Sequence, residues 1–237
     1  VSKIAVFHLS VIAFPFVYEE KPMIADQLKL CLVTHFTAET FPQYEDFILP
    51  VARSGITAVQ LRIKNCSHAL FLEYARQLKS LLTPLAIPLI INDHVDIALA
   101  VDAAGVHIGQ GDMTPARARE VLGSDKIIGW SVENMEQLNT ANELTTIDYI
   151  GASAVFPSTT KLDCKTIWGL AGLQELAAHS KHPVIAIGGI NVDNVASVIA
   201  HGAHGVAVVS AIHQHPEPAI ITRKILDQIN QTRQNHV

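Results

Sequence analysis

From residue 28 onward the chain alternates short apolar runs with longer stretches in which apolar residues recur every three or four positions. The runs near residues 28–34, 57–63, 88–92, 105–109, 126–132, 148–155, 183–188 and 205–210 predict strands, and their largely unbroken hydrophobicity suits strands covered on both faces. Between the second and third, Phe71, Tyr74, Ala75, Leu78, Leu81 and Leu82 share one side of a helix that Thr83-Pro84 should stop. Near the end Val195, Val198 and Ile199 repeat that spacing, with Asn191 as the expected N-cap and Gly202 just past the C-terminus. Eight strands with helices between them predict a single (β/α)8 TIM barrel over residues 28–237. An open doubly wound sheet is the alternative, but no GxGxxG follows the first strand and no Walker A motif occurs.

Polar residues enter this pattern at particular places, as the stretch 88–112 illustrates. It reads as strand, helix and strand, a parallel crossover unit. Asn92 and Asp93 close the first strand, and Asp112 lies just beyond the second. Parallel neighbours bring their carboxyl ends together, so the two carboxylates should face one rim. Mg²⁺ binds through one or two carboxylates, waters and substrate phosphate, which makes Asp93 and Asp112 the expected metal ligands.

Composition narrows the setting. Hydrophobic residues at 49% against charged residues at 16% allow a large core and argue against disorder. A net charge of -5 without a basic stripe excludes a nucleic-acid surface. Cys31, Cys66 and Cys164 are odd in number and far apart, so a disulfide framework is not expected and a reducing cytoplasm fits best. Residues 1–27 read as an N-terminal extension outside the barrel, with Met23 a candidate start. Residues 4–18 are mostly apolar, but His8, Ser10 and Pro15 interrupt them, and the run is too short to span a bilayer. No membrane partner is expected, and a homo-oligomer is left open.

In such a barrel the carboxyl ends of the strands build the active site. Strand two ends Gln60-Leu61-Arg62-Ile63-Lys64, and a period of two puts Gln60, Arg62 and Lys64 on one face. Charged groups aimed into a barrel mouth are expensive unless they meet an anion. Strand five contributes Ser131. After strand six, Ser158, Thr159, Thr160 and Lys161 form a hydroxyl-rich turn suited to a phosphate. Strand seven ends in Gly188-Gly189, where a phosphate can approach the backbone, and strand eight ends Val208-Val209-Ser210. Two anionic subsites result, one rich in cations with a metal, the other made of glycines, hydroxyls and backbone. This pattern suits the joining of a diphosphate substrate to a monophosphate one.

The segments QLRIK at 60–64, IIND at 90–93, GVHIGQGD at 105–112, IIGWS at 127–131, FPSTTK at 156–161, AIGGI at 186–190 and VAVVSAI at 206–212 together resemble the thiamine phosphate synthase family. The resemblance covers about residues 28 to 215, in order. It implies a transferase that condenses 4-amino-2-methyl-5-pyrimidinylmethyl diphosphate with 4-methyl-5-(2-phosphoethyl)thiazole, or its carboxylated form, releasing pyrophosphate and giving thiamine phosphate. Carried over, Gln60, Leu61, Arg62, Ile63, Lys64, Asn92, Ser131 and Lys161 would hold the pyrimidine diphosphate, with Arg62, Lys64, Lys161 and Ser131 as the catalytic set. Ser158, Thr159, Thr160, Gly189, Val209 and Ser210 would hold the thiazole phosphate, and Asp93 and Asp112 would bind Mg²⁺. The family's mechanism is dissociative, with a pyrimidinylmethyl carbocation captured by the thiazole nitrogen, and it needs no general base. Gly151-Ala152-Ser153-Ala154, Ser158, His94 and His35 depart from the family's usual residues. His201, His204, His213 and His215 lie outside the motifs and read as surface residues or spacers.

Two other readings remain at this point. A thiazole tautomerase shares the fold but needs no metal site and carries a histidine where this chain has Glu133. A non-catalytic sensor of phosphate ligands has no use for a cation-rich half-site.

Overall fold

The computed structural model describes residues 24–36, 40–158 and 166–235. Eight strands form a closed, all-parallel barrel in chain order: β1 (Leu30–Val33), β2 (Ala58–Leu61), β3 (Leu89–Asn92), β4 (Gly105–Ile108), β5 (Ile127–Val132), β6 (Tyr149–Ser153), β7 (Val184–Ile187) and β8 (Gly205–Val208). Around it run α1 (Ile24–Gln27), α2 (Phe41–Arg53), α3 (His68–Leu82), α4 (Val95–Ala100), α5 (Pro115–Leu122), α6 (Met135–Asn142), α7 (Gly169–His179), α8 (Val195–Ala200), α9 (Ser210–His213) and α10 (Pro218–Asn235). The expected barrel is therefore the fold. Its strands fall where the apolar runs lie and are shorter by one to a few residues at their ends.

Alternation within each strand divides the core in two. Leu30, Leu32, Val59, Leu61, Ile91 and Val106 point outward and pack with the helices. Cys31, Ala58, Ile90, Ile127 and Ile185 fill the amino-terminal half of the barrel interior. At the carboxyl ends the inward positions turn polar, with Gln60, Asn92, His107, Ser131 and Ser153 around the cavity. Polar groups here are tolerated because they bond one another and open onto the mouth.

The helices begin and end for local reasons. The Ser67 side chain accepts the Leu70 N–H at 3.2 Å and starts α3, which buries Phe71, Ala75, Leu78 and Leu82. The 3₁₀ turn Thr83–Leu85 then stops it at the expected place. For α8 the cap differs from expectation. Asn194 Oδ1 accepts the Asn191 N–H at 2.9 Å while Asn191 Oδ1 accepts the Asp193 N–H at 2.8 Å, so Asn191 folds the preceding turn and Asn194 stands at the N-cap. Gly202, with φ 95, ends α8 as predicted.

Residues 24–27, grouped with the extension on sequence grounds, form α1 against the barrel's amino-terminal end. Ile24 packs on the inner apolar cluster, and Asp26 pairs with Arg233 of α10 at 2.8 Å. Residues 1–23 lie outside the described residues. No helix among the described residues is long and apolar enough to cross a membrane.

Candidate active site

Two adjoining cavities open at the carboxyl ends of the strands. The larger, about 260 Å³, is lined by Gln60, Arg62, Asn92, Asp93, Asp112 and Ser131 among others. The smaller, about 60 Å³, is lined by Ser158, Gly188, Gly189, Val209 and Ser210. Arg62 and Ser153 belong to both walls. The structure thus brings most of the residues named from the sequence to these two walls, and Arg62 to both.

In the larger cavity several residues are held in place by hydrogen bonds to side chains or backbone of neighbouring strands and loops. Gln60, only 7% exposed, donates its amide to Asn92 Oδ1 at 2.7 Å. Thr34 Oγ1 donates to the Arg62 carbonyl and accepts the Arg62 N–H, both at 2.9 Å, so β1 continues to guide the chain after β2 has ended. Asp93 lies just past β3 with φ 66, a left-handed conformation that aspartate tolerates better than most residues, and its N–H donates to the His107 carbonyl at 2.8 Å. Strain of this kind persists where surrounding bonds impose it. Asp112 accepts the Gly109 N–H on Oδ2 at 2.7 Å, which closes the GQGD loop and fixes the carboxylate at the mouth. Gln110 donates to the Ser131 carbonyl at 2.7 Å and ties that loop to β5.

The smaller cavity is built differently. Gly188 and Gly189 have φ of 103 and 64. A Cβ on Gly188 would lie 2.4 Å from the Ala154 Cβ, and one on Gly189 would lie 2.6 Å from the Pro157 carbonyl oxygen. Backbone conformation and the close approach of the turn after β6 both require glycine here. Val209 precedes the single-turn helix α9, whose first residue is Ser210, so this wall ends at the start of that turn.

Two buried residues without an assigned role complete the larger cavity. His107, inward on β4, bonds Ser131 Oγ through Nε2 and the Tyr149 hydroxyl through Nδ1, both at 2.9 Å. Tyr149 is buried, and burial, with smaller contributions from neighbouring Cys31 and Asp148, raises its pKa well above the usual phenol value. Glycines make room for both rings. A Cβ at Gly129 would lie 2.0 Å from the Tyr149 ring, and one at Gly151 would lie 2.8 Å from the His107 ring. The signal was present in the period-two series Gly129, Ser131 and Tyr149, Gly151, Ser153, where small residues flank a large inward one. Cys31, buried nearby, has its thiol pushed up to about 12 by burial, so it is a core residue and not a nucleophile.

Some predicted residues stand elsewhere. β2 ends at Leu61 and Asn65 turns the chain with φ 55, so the alternation that aims Gln60 and Arg62 inward does not extend to Lys64, which is exposed and off both cavity walls. Leu61 is buried in the layer beneath the helices and Ile63 packs against that layer, so neither side chain lines a cavity. His94 turns outward, its ring 4.7 Å from that of Phe71. His213 is no spacer. Its Nδ1 bonds the Val209 carbonyl at 3.0 Å, its Nε2 bonds the His35 N–H at 3.3 Å and the Tyr44 hydroxyl at 3.1 Å, and its ring stacks on Phe47. His204 likewise accepts the Val184 N–H at 3.1 Å, and burial together with Arg233 lowers its pKa. Thr159, Thr160, Lys161 and Cys164 lie outside the described residues. Among the described residues no group of three or more His, Cys, Asp or Glu could hold a metal.

Comparison with known proteins points the same way. The thiamine monophosphate synthase family model matches residues 30–212. Thiamine-phosphate synthase of Chlamydia abortus is 43% identical over 202 residues, 85% of this chain and 95% of that protein. The Vibrio campbellii protein of the same name is 47% identical over 172 residues, 73% of this chain and 84% of that one. A solved thiamine phosphate pyrophosphorylase from Pyrococcus furiosus superposes with a TM-score of 0.80 at 33% identity, covering 88% of this chain and 98% of that structure.

Proposed function

The chain belongs to the thiamine monophosphate synthase family, whose members make it a transferase of thiamine biosynthesis, and we propose that its two cavities hold the two substrates of that reaction side by side. The larger takes 4-amino-2-methyl-5-pyrimidinylmethyl diphosphate. The smaller takes the phosphate of 4-methyl-5-(2-phosphoethyl)thiazole or its carboxylated form. The observation that carries this reading is the shared wall: Arg62 and Ser153 line both cavities, so ligands in the two would meet there.

The bond between the pyrimidinylmethyl carbon and the diphosphate oxygen breaks, and its electron pair leaves with pyrophosphate. The thiazole nitrogen then donates its lone pair to the methylene cation, forming the C–N bond of thiamine phosphate. Negative charge grows on the leaving group, so donors held in place before reaction stabilise the transition state most. Arg62 is the described cation on the cavity wall. Lys64, once its long side chain swings in from its exposed position, completes the cationic set together with Lys161. Asp93 and Asp112 offer two hard oxygen donors at neighbouring loops, the number that Mg²⁺ takes from a protein when phosphates and water complete its shell. Bound there, the cation would neutralise the departing pyrophosphate. A cytoplasmic setting belongs to the same proposal and agrees with the free thiols of Cys31 and Cys66.

The test is formation of thiamine phosphate and pyrophosphate by folded protein, with both substrates and Mg²⁺ supplied. Product in the complete mixture but not when either substrate is omitted is expected; folded protein that makes none overturns the proposal. Lys161→Ala should lower turnover at saturating substrate by about tenfold to a hundredfold, the size of a lost charged hydrogen bond. A rise confined to the thiazole phosphate KM would overturn the division of the subsites.

A further inference from the structure

His107 links the wall of the larger cavity to a buried phenol, and hydrogen counting fixes the direction of that link. Tyr149 OH has His107 Nδ1 as its hydrogen-bond partner, and His107 Nε2 meets Ser131 Oγ. If the phenol donates to Nδ1, the ring proton sits on Nε2 and donates to Ser131, and every buried donor is paired. If the ring proton sits on Nδ1, it donates to the phenol oxygen, and the phenol proton is left with no protein acceptor among the described residues. An unpaired buried donor disfavours the second arrangement by about tenfold or more. Tyr149 cannot escape by ionising, because burial holds it protonated. Gly129 and Gly151 press close on the two rings and leave them little room to reorient.

We infer that Tyr149 and His107 are positioning residues for Ser131: the chain of donors runs from phenol to imidazole to serine, so that Ser131 accepts from His107 and turns its own hydroxyl proton into the cavity. Ser131 is then a committed donor. It recognises an acceptor atom, such as an anionic phosphate oxygen, and discriminates against a donor at the same place. The inference rests on the proposed function for what occupies the cavity, but the order of the protons does not depend on it.

The proton order is read by nitrogen NMR of wild-type protein labelled with ¹⁵N-histidine, the His107 signals being assigned by their loss in His107→Gln. A proton on Nε2 with bare Nδ1 is expected; a proton on Nδ1 overturns the inference. In Tyr149→Phe, which keeps the ring over Gly129, the Nε2 preference should be lost, whereas a purely structural phenol would leave it unchanged. Kinetics give the second arm. Ser131→Ala and Tyr149→Phe should each lower kcat by about tenfold, with the thiazole phosphate KM unmoved, and the double variant should be no slower than Ser131→Ala. Losses that multiply in the double variant would overturn the inference. Absence of turnover in wild-type protein would strike the proposed function alone, since the NMR result still decides the proton order.

Discussion

The two cavities share a wall but are made of different material. The larger is lined by side chains at inward positions of β2 to β6, among which Gln60 bonds Asn92 and His107 bonds Ser131. The smaller is lined largely by glycines and small side chains, at Gly188-Gly189, Ala154 and Ser158, and at the start of α9. In the proposed reaction the difference has a consequence. The diphosphate gains charge as it departs, so side chains aimed at it can bind the transition state more tightly than the ground state and raise kcat. The thiazole phosphate keeps its charge throughout, so backbone donors around it bind both states alike and set KM.

The strongest way to break this comparison is to remove charge from the first cavity while preserving its geometry. Asp93→Asn retains a residue that accepts the left-handed backbone at φ 66, and Asp112→Asn retains an oxygen acceptor for the Gly109 N–H. Both should fold with an unchanged melting temperature and lose kcat by about a hundredfold or more through loss of metal binding. Mg²⁺ titrations of turnover check this. A variant as active as wild type in excess chelator would remove Asp93 and Asp112 from metal binding.

A smaller effect, of the opposite kind, is expected in the second cavity. Gly189→Ala places a methyl 2.6 Å from the Pro157 carbonyl oxygen on a backbone at φ 64, so the turn must shift. The thiazole phosphate KM should rise about tenfold with kcat within about twofold, and stability should fall by roughly 1 kcal/mol or more. Steady-state kinetics and thermal unfolding measure both. A fall in kcat at constant KM would mean that the backbone wall also follows the developing charge.

The same difference in material decides what could be read from the sequence. Alternation in β2 reveals Gln60, and it still holds at Arg62, one place past the strand, because both backbone groups of Arg62 bond Thr34. It misplaces Lys64 because the strand stops at Leu61, and no pattern in QLRIK marks that end. His107 and Tyr149 escape notice because they sit inside their strands, below the ends where chemistry is expected, although the flanking glycines at 129 and 151 record the space their rings need. Asn191 and Asn194 are equivalent as caps in composition, and only the turn geometry separates them. His213 carries no motif, since its partners, Val209, His35 and Tyr44, come from distant parts of the chain. The smaller cavity announces itself through its glycines and the hydroxyl-rich turn at Ser158, while its other wall, Val209-Ser210, stands out only as part of the family resemblance.

The finest test compares one hydroxyl in each cavity. Ser210 is the first residue of α9, and alanine there keeps the backbone N–H and suits a helix at least as well. In the proposed reaction what is lost is one hydroxyl beside a phosphate whose charge does not change. Ser210→Ala should therefore raise the thiazole phosphate KM by only about twofold to fivefold, below a typical hydrogen bond to a charged group, because water and the remaining N–H groups can serve the same oxygen. Its kcat should stay within error. Ser131→Ala removes a group of the same size, but one that in the proposed reaction faces the leaving group, and should lower kcat instead by about tenfold. Measuring kcat and both KM values for the two variants under one set of conditions separates the cases. If Ser210→Ala lowers kcat as far as Ser131→Ala does, the second cavity takes part in charge stabilisation, and the division between a side-chain site for the transition state and a backbone site for binding fails.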